Sequence, residues 1–276
     1  MTRTGGRGRG KPRRDRAIEP GRAAEALARY YDLDLHDDPG DVELYRALAA
    51  RTGGPILELG VGSGRVAVPL ALDGHEVVGV DHDPAALARA RARWSAAGAE
   101  AKGRLELLEA DLTELGLGSR FGLAILALNS LLLLAEPGRQ RAGLAALARH
   151  LGPSGLAVVD IWLPGPDDLA VYDGRLVHEW TRDDPETGER VAKLASATYD
   201  AATEMVELQT VFDVWPAEGG PVRRVDRVDR LRLVGADELV RMAEEAGLAV
   251  ESLSGDHALS PFGPGSERAV LVAGLV

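Results

Sequence analysis

The stretch Pro55-Ile56-Leu57-Glu58-Leu59-Gly60-Val61-Gly62-Ser63-Gly64-Arg65-Val66-Ala67-Val68-Pro69-Leu70-Ala71-Leu72 decides the fold. A short apolar run ends in three glycines at every second position, and apolar residues resume directly after them. Glycines bring no side chain to a core, so this spacing suits a tight turn where the main chain approaches something closely. A buried strand, a glycine turn and a helix that starts at the turn form a corner suited to a nucleotide-like ligand, with the free N–H groups of the helix start facing it.

Outward from that corner, His75 to Asp81 reads as a second strand, Pro84 opens a helix to Ala97, and Leu105 to Ala110 is a third strand closed by Asp111. Phe121 to Leu128 is apolar almost throughout, as a strand covered on both faces should be. A helix over Pro137 to His150 and a strand over Leu156 to Ile161 follow. Upstream, Ala23 to Tyr31 reads as a helix, and Asp41 is expected to cap another that runs to Ala50. Strands alternating with helices predict a parallel sheet with helices on both faces. The alternation stops near Pro164. Leu176 to Thr181, Val191 to Tyr199, Met205 to Val214 and Val222 to Leu233 read as four antiparallel strands separated by turn clusters, an insertion over residues 174–234. Asp237 to Ala246 then reads as a helix, followed by two strands over Leu248 to Leu253 and Arg268 to Ala273.

With 276 residues and 45% apolar content the chain can build a full core by hydrophobic burial. It has no cysteine, which excludes a disulfide framework, a thiolate metal site and a cysteine nucleophile and fits a cytoplasmic protein. The longest apolar run, Phe121 to Ala135, is interrupted by Asn129 and Ser130 and falls short of the ~20 residues of a span, so no membrane anchor is expected. Net charge is −11, but the first 16 residues carry +6, which leaves −17 for the rest. An acidic body argues against a nucleic-acid partner. Residues 1–22 read as a disordered, solvated basic tail and residues 23–276 as the folded domain. No histidine or carboxylate cluster has metal-ligand spacing, so no metal is expected. A monomer or homodimer is expected.

Asp81 ends the second strand seventeen residues after Gly64, where a carboxylate can accept hydrogen bonds from both hydroxyls of a ribose. Asp83, before Pro84, suits a helix cap. Asp111 ends the third strand and would face the same crevice at the carboxyl edge of the sheet. Asn129 and Ser130 follow the fourth strand, where polar groups usually face that crevice.

The set ELGVGSG at Glu58 to Gly64, VGVDHDP at Val78 to Pro84, EADL at Glu109 to Leu112 and LNSLLLL at Leu128 to Leu134 closely resembles the class I S-adenosylmethionine-dependent methyltransferases. The resemblance implies a Rossmann-like α/β fold: a seven-stranded, mostly parallel sheet with helices on both faces, a reversed last strand, and an antiparallel β insertion after the fifth strand. It implies S-adenosylmethionine as cofactor, with Gly60, Gly62 and Gly64 against its methionine part, Asp81 on the ribose hydroxyls, Asp111 near the adenine amino group beside Leu112, and Glu58 beneath the turn. The wider arrangement is similar to the small-molecule branch, including sugar-amine and glycine or sarcosine N-methyltransferases, in which the insertion covers the acceptor. There Tyr30 and Tyr31 would belong to an amino-terminal lid over the cofactor, and Asn129 would join the cofactor-binding set. The Asn129-Ser130-Leu131 segment lacks the Pro-Pro-aromatic signature of methyltransferases that act on nucleobase or protein amide nitrogen.

A methyl acceptor must be held in line with the transferred carbon, and an amine acceptor must be uncharged when it attacks. Asp160, near the end of the fifth strand, and His178, in the insertion, are the candidate catalytic groups; His257 is a second candidate base, and Trp162 could wall the pocket. The run Arg223 to Arg230 alternates in sign and reads as a solvated strand face. Nitrogen is preferred to oxygen as the acceptor atom of a small molecule. Two alternatives stay open: a nicotinamide-dependent oxidoreductase, which would share the glycine turn and the ribose carboxylate, and a non-catalytic domain that binds S-adenosylmethionine.

Overall fold

The computed structural model describes residues 20–35, 39–98 and 103–276. The basic tail expected over residues 1–22 lies almost entirely outside the described residues, and helix α1 (Pro20–Asp34) begins two residues before Arg22. Helix α2 (Val42–Thr52) follows, and then β1 (Ile56–Leu59), α3 (Ala67–Leu72), β2 (Val77–Asp81), α4 (Pro84–Ala96), β3 (Leu105–Glu109) and β4 (Phe121–Leu126) alternate as expected. After α5 (Pro137–His150) comes β5 (Leu151–Trp162), which starts five residues earlier than the apolar run suggests. Gly152, Pro153 and Ser154 carry no apolar signal and sit where the register with β4 shifts, but the strand pairs before them, through Phe121 opposite Leu151.

The main sheet has the order β10-β11-β5-β4-β1-β2-β3, where β10 (Leu248–Ser254) and β11 (Arg268–Leu275) close the chain. β1 pairs in parallel with β2 on one side and β4 on the other, whereas β11 runs antiparallel to both β5 and β10. Strand order therefore reverses beside β1, and in such sheets the crevice opens beyond the carboxyl ends of the strands at that reversal. The central strands are apolar on both faces because helices cover both. Leu57, Leu59, Leu123, Ile125, Val158 and Val159 are all fully buried, and two separate apolar clusters line the two faces of the sheet.

Short α6 (Pro166–Ala170) leads into a second sheet, β6 (Val177–Asp183), β7 (Arg190–Asp200), β8 (Met205–Trp215) and β9 (Arg223–Arg232), paired in that order and antiparallel throughout. This is the expected insertion, and α7 (Ala236–Glu245) returns the chain to the main sheet. The small sheet packs on α1: Tyr30 and Leu33 are buried against Val191, Phe212, Val214 and Val225, and the rings of Tyr30 and Phe212 lie 5.0 Å apart. Among the described residues no helix is long and apolar enough to cross a membrane.

Candidate active site

The glycine turn is strapped onto β2, where Gly60 N–H and Val61 N–H both donate to the Val80 carbonyl, at 2.8 and 3.0 Å. Gly60 and Gly62 have φ of +77° and +54°, which a side chain would strain. A Cβ on Gly60 would lie 2.9 Å from the Ser130 hydroxyl, whereas one on Gly62 would meet nothing within 4 Å. The space over Gly62 is open. Gly64 differs from the other two, because a Cβ there would press on Val68 and Ala90, at 3.1 and 3.2 Å. It serves the approach of α3 to α4 and does not line the cavity described below.

The Asp81 carboxylate is held by both oxygens: Gly62 N–H donates to one at 2.8 Å and Asp83 N–H to the other at 2.9 Å. Asp83 caps α4 by accepting from Ala85 N–H. One strand away, Asp111 accepts from the Thr113 hydroxyl and N–H on one oxygen and from Arg139 on the other, at 2.7, 2.9 and 2.8 Å. The Thr113 hydroxyl and then Arg139 draw its pKa down to about 2, so it is ionised at any physiological pH. Asp81, Asp111, Leu112, Gly60 and Gly62 all front one cavity of about 330 Å³, which Ser130, Leu133 and Leu134 also line.

Glu58 lies beneath the turn, 3% exposed, and one of its carboxylate oxygens has no hydrogen-bond partner among the described residues. Burial raises its pKa to about 8 against the opposing pull of Arg65. The Arg65 charge is itself committed to Asp41, with two 2.6 Å hydrogen bonds to a fully buried carboxylate. Asp41 is thus an ion-pair partner and not the helix cap expected of it; it makes no side-chain cap bond to α2. Glu58 and Arg65 line a smaller hollow that shares Tyr31, Gly60, Gly62 and Ser63 with the main cavity.

Besides Gly64, four more expected site residues lie elsewhere. Tyr30 points into the cluster with Phe212, and it is Tyr31, one residue on, that fronts the cavity with 41% of its surface open. On a helix, adjacent residues are about 100° apart, so α1 cannot present both to one ligand. The Asn129 side chain accepts from Trp162 N–H at 2.6 Å and its own N–H donates to the Asp160 carbonyl, a strap between strand ends and not a cavity wall. Asp160 is fully buried with its oxygens engaged by Arg268, at 2.9 and 2.7 Å, and by His257 at 3.0 Å. It clamps β5 to β11. His257 also faces the Pro39 carbonyl at 3.1 Å, and with acceptors at both ring nitrogens the charged form is favoured; the hydrogen bond to Asp160 raises its pKa. His178 is exposed on β6 and, among the described residues, its side chain bonds to the Thr181 hydroxyl at 2.8 Å. Arg139 and Arg227, both at the cavity, were not singled out for it. Nothing in the sequence marks Arg139, and the sign alternation along β9 does not say which face, and so whether Arg227, turns inward.

A family model described as a methyltransferase domain matches residues 56–155, the segment that carries the turn, Asp81, Asp111 and the wall after β4. The chain is 27% identical over 84% of its length, and 86% of the other's, to a cypemycin N-terminal methyltransferase of a Streptomyces species. Among solved structures, the CcbJ methyltransferase of Streptomyces caelestis superposes with a TM-score of 0.68 at 27% identity, over 88% of this chain and 95% of that one. The chain is an S-adenosylmethionine-dependent methyltransferase. The sugar N-methyltransferase KedS8 of a Streptoalloteichus species shares the fold of this methyltransferase, with a TM-score of 0.69 and 21% identity over 99% of each chain. The cofactor of the methyltransferase is S-adenosylmethionine, and the residues present fit it: two strand-end carboxylates front a cavity whose floor is bare main chain over Gly62.

Proposed function

We propose that the methyltransferase acts on a small-molecule acceptor, at nitrogen in preference to oxygen, with its cofactor held between the glycine turn and Asp111. The observation that carries the cofactor part is the shared cavity of Asp81 and Asp111 with open space over Gly62. Asp81 keeps lone pairs for two ribose hydroxyls, Asp111 and Leu112 flank the adenine, and Gly60 and Gly62 admit the methionine part against their main chain. Glu58 offers its unpartnered oxygen to the α-ammonium group, and Tyr31 takes the lid position expected of Tyr30. The cofactor brings an electrophilic methyl group on a sulfonium, so the chain needs chiefly to orient the acceptor and keep water out. The small sheet reaches the cavity through Arg227.

Nitrogen is favoured because an amine, once uncharged, attacks without a base, whereas a hydroxyl generally requires one. The side chains expected to act as base are engaged elsewhere: Asp160 with Arg268 and His257, His257 also with the Pro39 carbonyl, and His178 with Thr181. The names of the cypemycin enzyme and of KedS8 both specify amine acceptors, which supports the same reading. The test measures S-adenosylhomocysteine formed with matched pairs of amino and hydroxy compounds, amino sugars and short peptides included. Turnover of amines alone is expected; turnover of hydroxy partners alone overturns the nitrogen reading. The Asp81→Ala variant should bind S-adenosylhomocysteine about 10- to 100-fold more weakly, the equivalent of one charge-assisted hydrogen bond. Unchanged affinity would remove Asp81 from the site.

A further inference from the structure

We propose that Arg227, on the inserted sheet, grips the α-carboxylate of the cofactor, so that this sheet completes the cofactor site. The inference rests on the reading that S-adenosylmethionine occupies the main cavity.

Along β9 the side chains alternate. Val225 is buried in the cluster beneath α1, so Arg227 and Asp229, two and four residues on, share the face turned toward the body of the molecule. The outward residues behave as a solvated face should: Arg224 pairs across the strands with Asp213 and Arg230 with Glu207. Arg227 does not. It fronts the main cavity together with Tyr31, Gly62 and Ser63. Its Nε donates to the Asp229 carboxylate, at 2.8 and 2.6 Å, and among the described residues its two terminal nitrogens have no partner. Opposite it on β8 stands Thr210, which offers no charge.

The charge of Arg227 acts on the Tyr31 hydroxyl together with that of Arg65, which places it toward the glycine-turn end of the cavity. The other charged groups near that end are already matched. Both oxygens of Asp41 hold Arg65, and Asp32 holds Ser63, Arg89 and Arg93. Arg227 is paired with Asp229 through Nε alone, so its two terminal nitrogens remain to be met, as does a buried acceptor oxygen of Glu58. A zwitterionic amino-acid group presents the complement of both, and a guanidinium fork fits a carboxylate by two parallel hydrogen bonds. Asp229, which fixes the Nε edge of the guanidinium, is the positioning residue.

Calorimetric titration of the full-length protein with S-adenosylhomocysteine and with 5′-methylthioadenosine, which lacks the amino-acid carboxylate, tests this. Arg227→Gln should weaken S-adenosylhomocysteine about 10- to 100-fold, as expected for a lost charge-assisted pair, and leave 5′-methylthioadenosine unchanged. Arg227→Lys should recover part of the loss. Equal weakening of both ligands would mean general damage to the cavity and overturns the proposal. Unchanged affinity for both overturns it too, and assigns the free fork to the acceptor. If the unaltered protein binds neither compound, the cofactor reading itself fails, an outcome distinct from the other two.

Discussion

Desolvation holds the Glu58 carboxyl at about 8, and the surrounding charges divide: Arg65 lowers the value while Asp41 and Asp81 raise it. A carboxyl raised in the folded state stabilises the fold through its protonated form. That contribution is fully present below the ordinary carboxylate range and is lost as pH rises through about 8. The ligand-free protein should therefore lose thermal stability between about pH 5 and pH 8, with no further loss from this group above that, and Glu58→Gln should flatten that slope in a melting series. An ammonium group beside Glu58 favours the carboxylate, so S-adenosylhomocysteine should bind more tightly as pH rises toward 8 and release a proton as it does so. Calorimetry in buffers of different ionisation heat reads that proton directly. Asp160 makes a contrasting case. Its charge is buried and met by Arg268 and His257, so Asp160→Asn should cost about 3–5 kcal/mol in chemical denaturation, the usual loss when a buried ion pair is broken from one side. Affinity of the folded protein for S-adenosylhomocysteine should not change.

Among the elements, β2 shows how closely the glycine turn is built onto its neighbour. A Cβ on Gly79 would come within 2.7 Å of Val61 and 3.0 Å of Leu107, so the turn can lie against the strand only because this position has no side chain. Gly79→Ala should cost about 1–3 kcal/mol, as overpacking does, and lower the melting temperature by several degrees. The strands themselves were legible from sequence because parallel strands covered on both faces are apolar at every position, as Phe121 to Leu126 is. The carboxylates at the ends of β2 and β3 were legible for a related reason: a charge that ends such a run has only the sheet edge to occupy. Arg227 was not, since the sign alternation of β9 is the same whichever face turns inward, and only packing against α1 selects the face. Tyr30 and Tyr31 posed the same difficulty on a helix, where adjacent positions diverge and the sequence does not say which one meets the ligand. Asp160 and His178 misled because polar residues near a sheet edge can be consumed by structural pairing that a sequence does not reveal.

At the scale of the molecule, α1 holds the two sheets together. Its Asp32 reaches the glycine turn through Ser63 and α4 through Arg89 and Arg93, while Asp34 accepts from Trp180 on β6 and Lys193 on β7. Arg182 adds a bond to the Leu33 carbonyl. Asp34→Ala leaves the Trp180 indole N–H without its acceptor and the nearly buried Lys193 with Glu179 alone. Hydrogen exchange should then quicken in residues 20–35 and in β6 and β7, with β1 and β4 as slow as before; uniform acceleration would mean that α1 is not a separate tie.

The same helix sets the unit in which this protein can be recombined. A chimera that imports residues 174–234 from a relative, and nothing else, separates Trp180, Arg182 and Lys193 from the partners they fold against. Grafting residues 20–35 along with them transplants the whole interface, so an acceptor preference carried by the small sheet travels as two distant pieces of one chain.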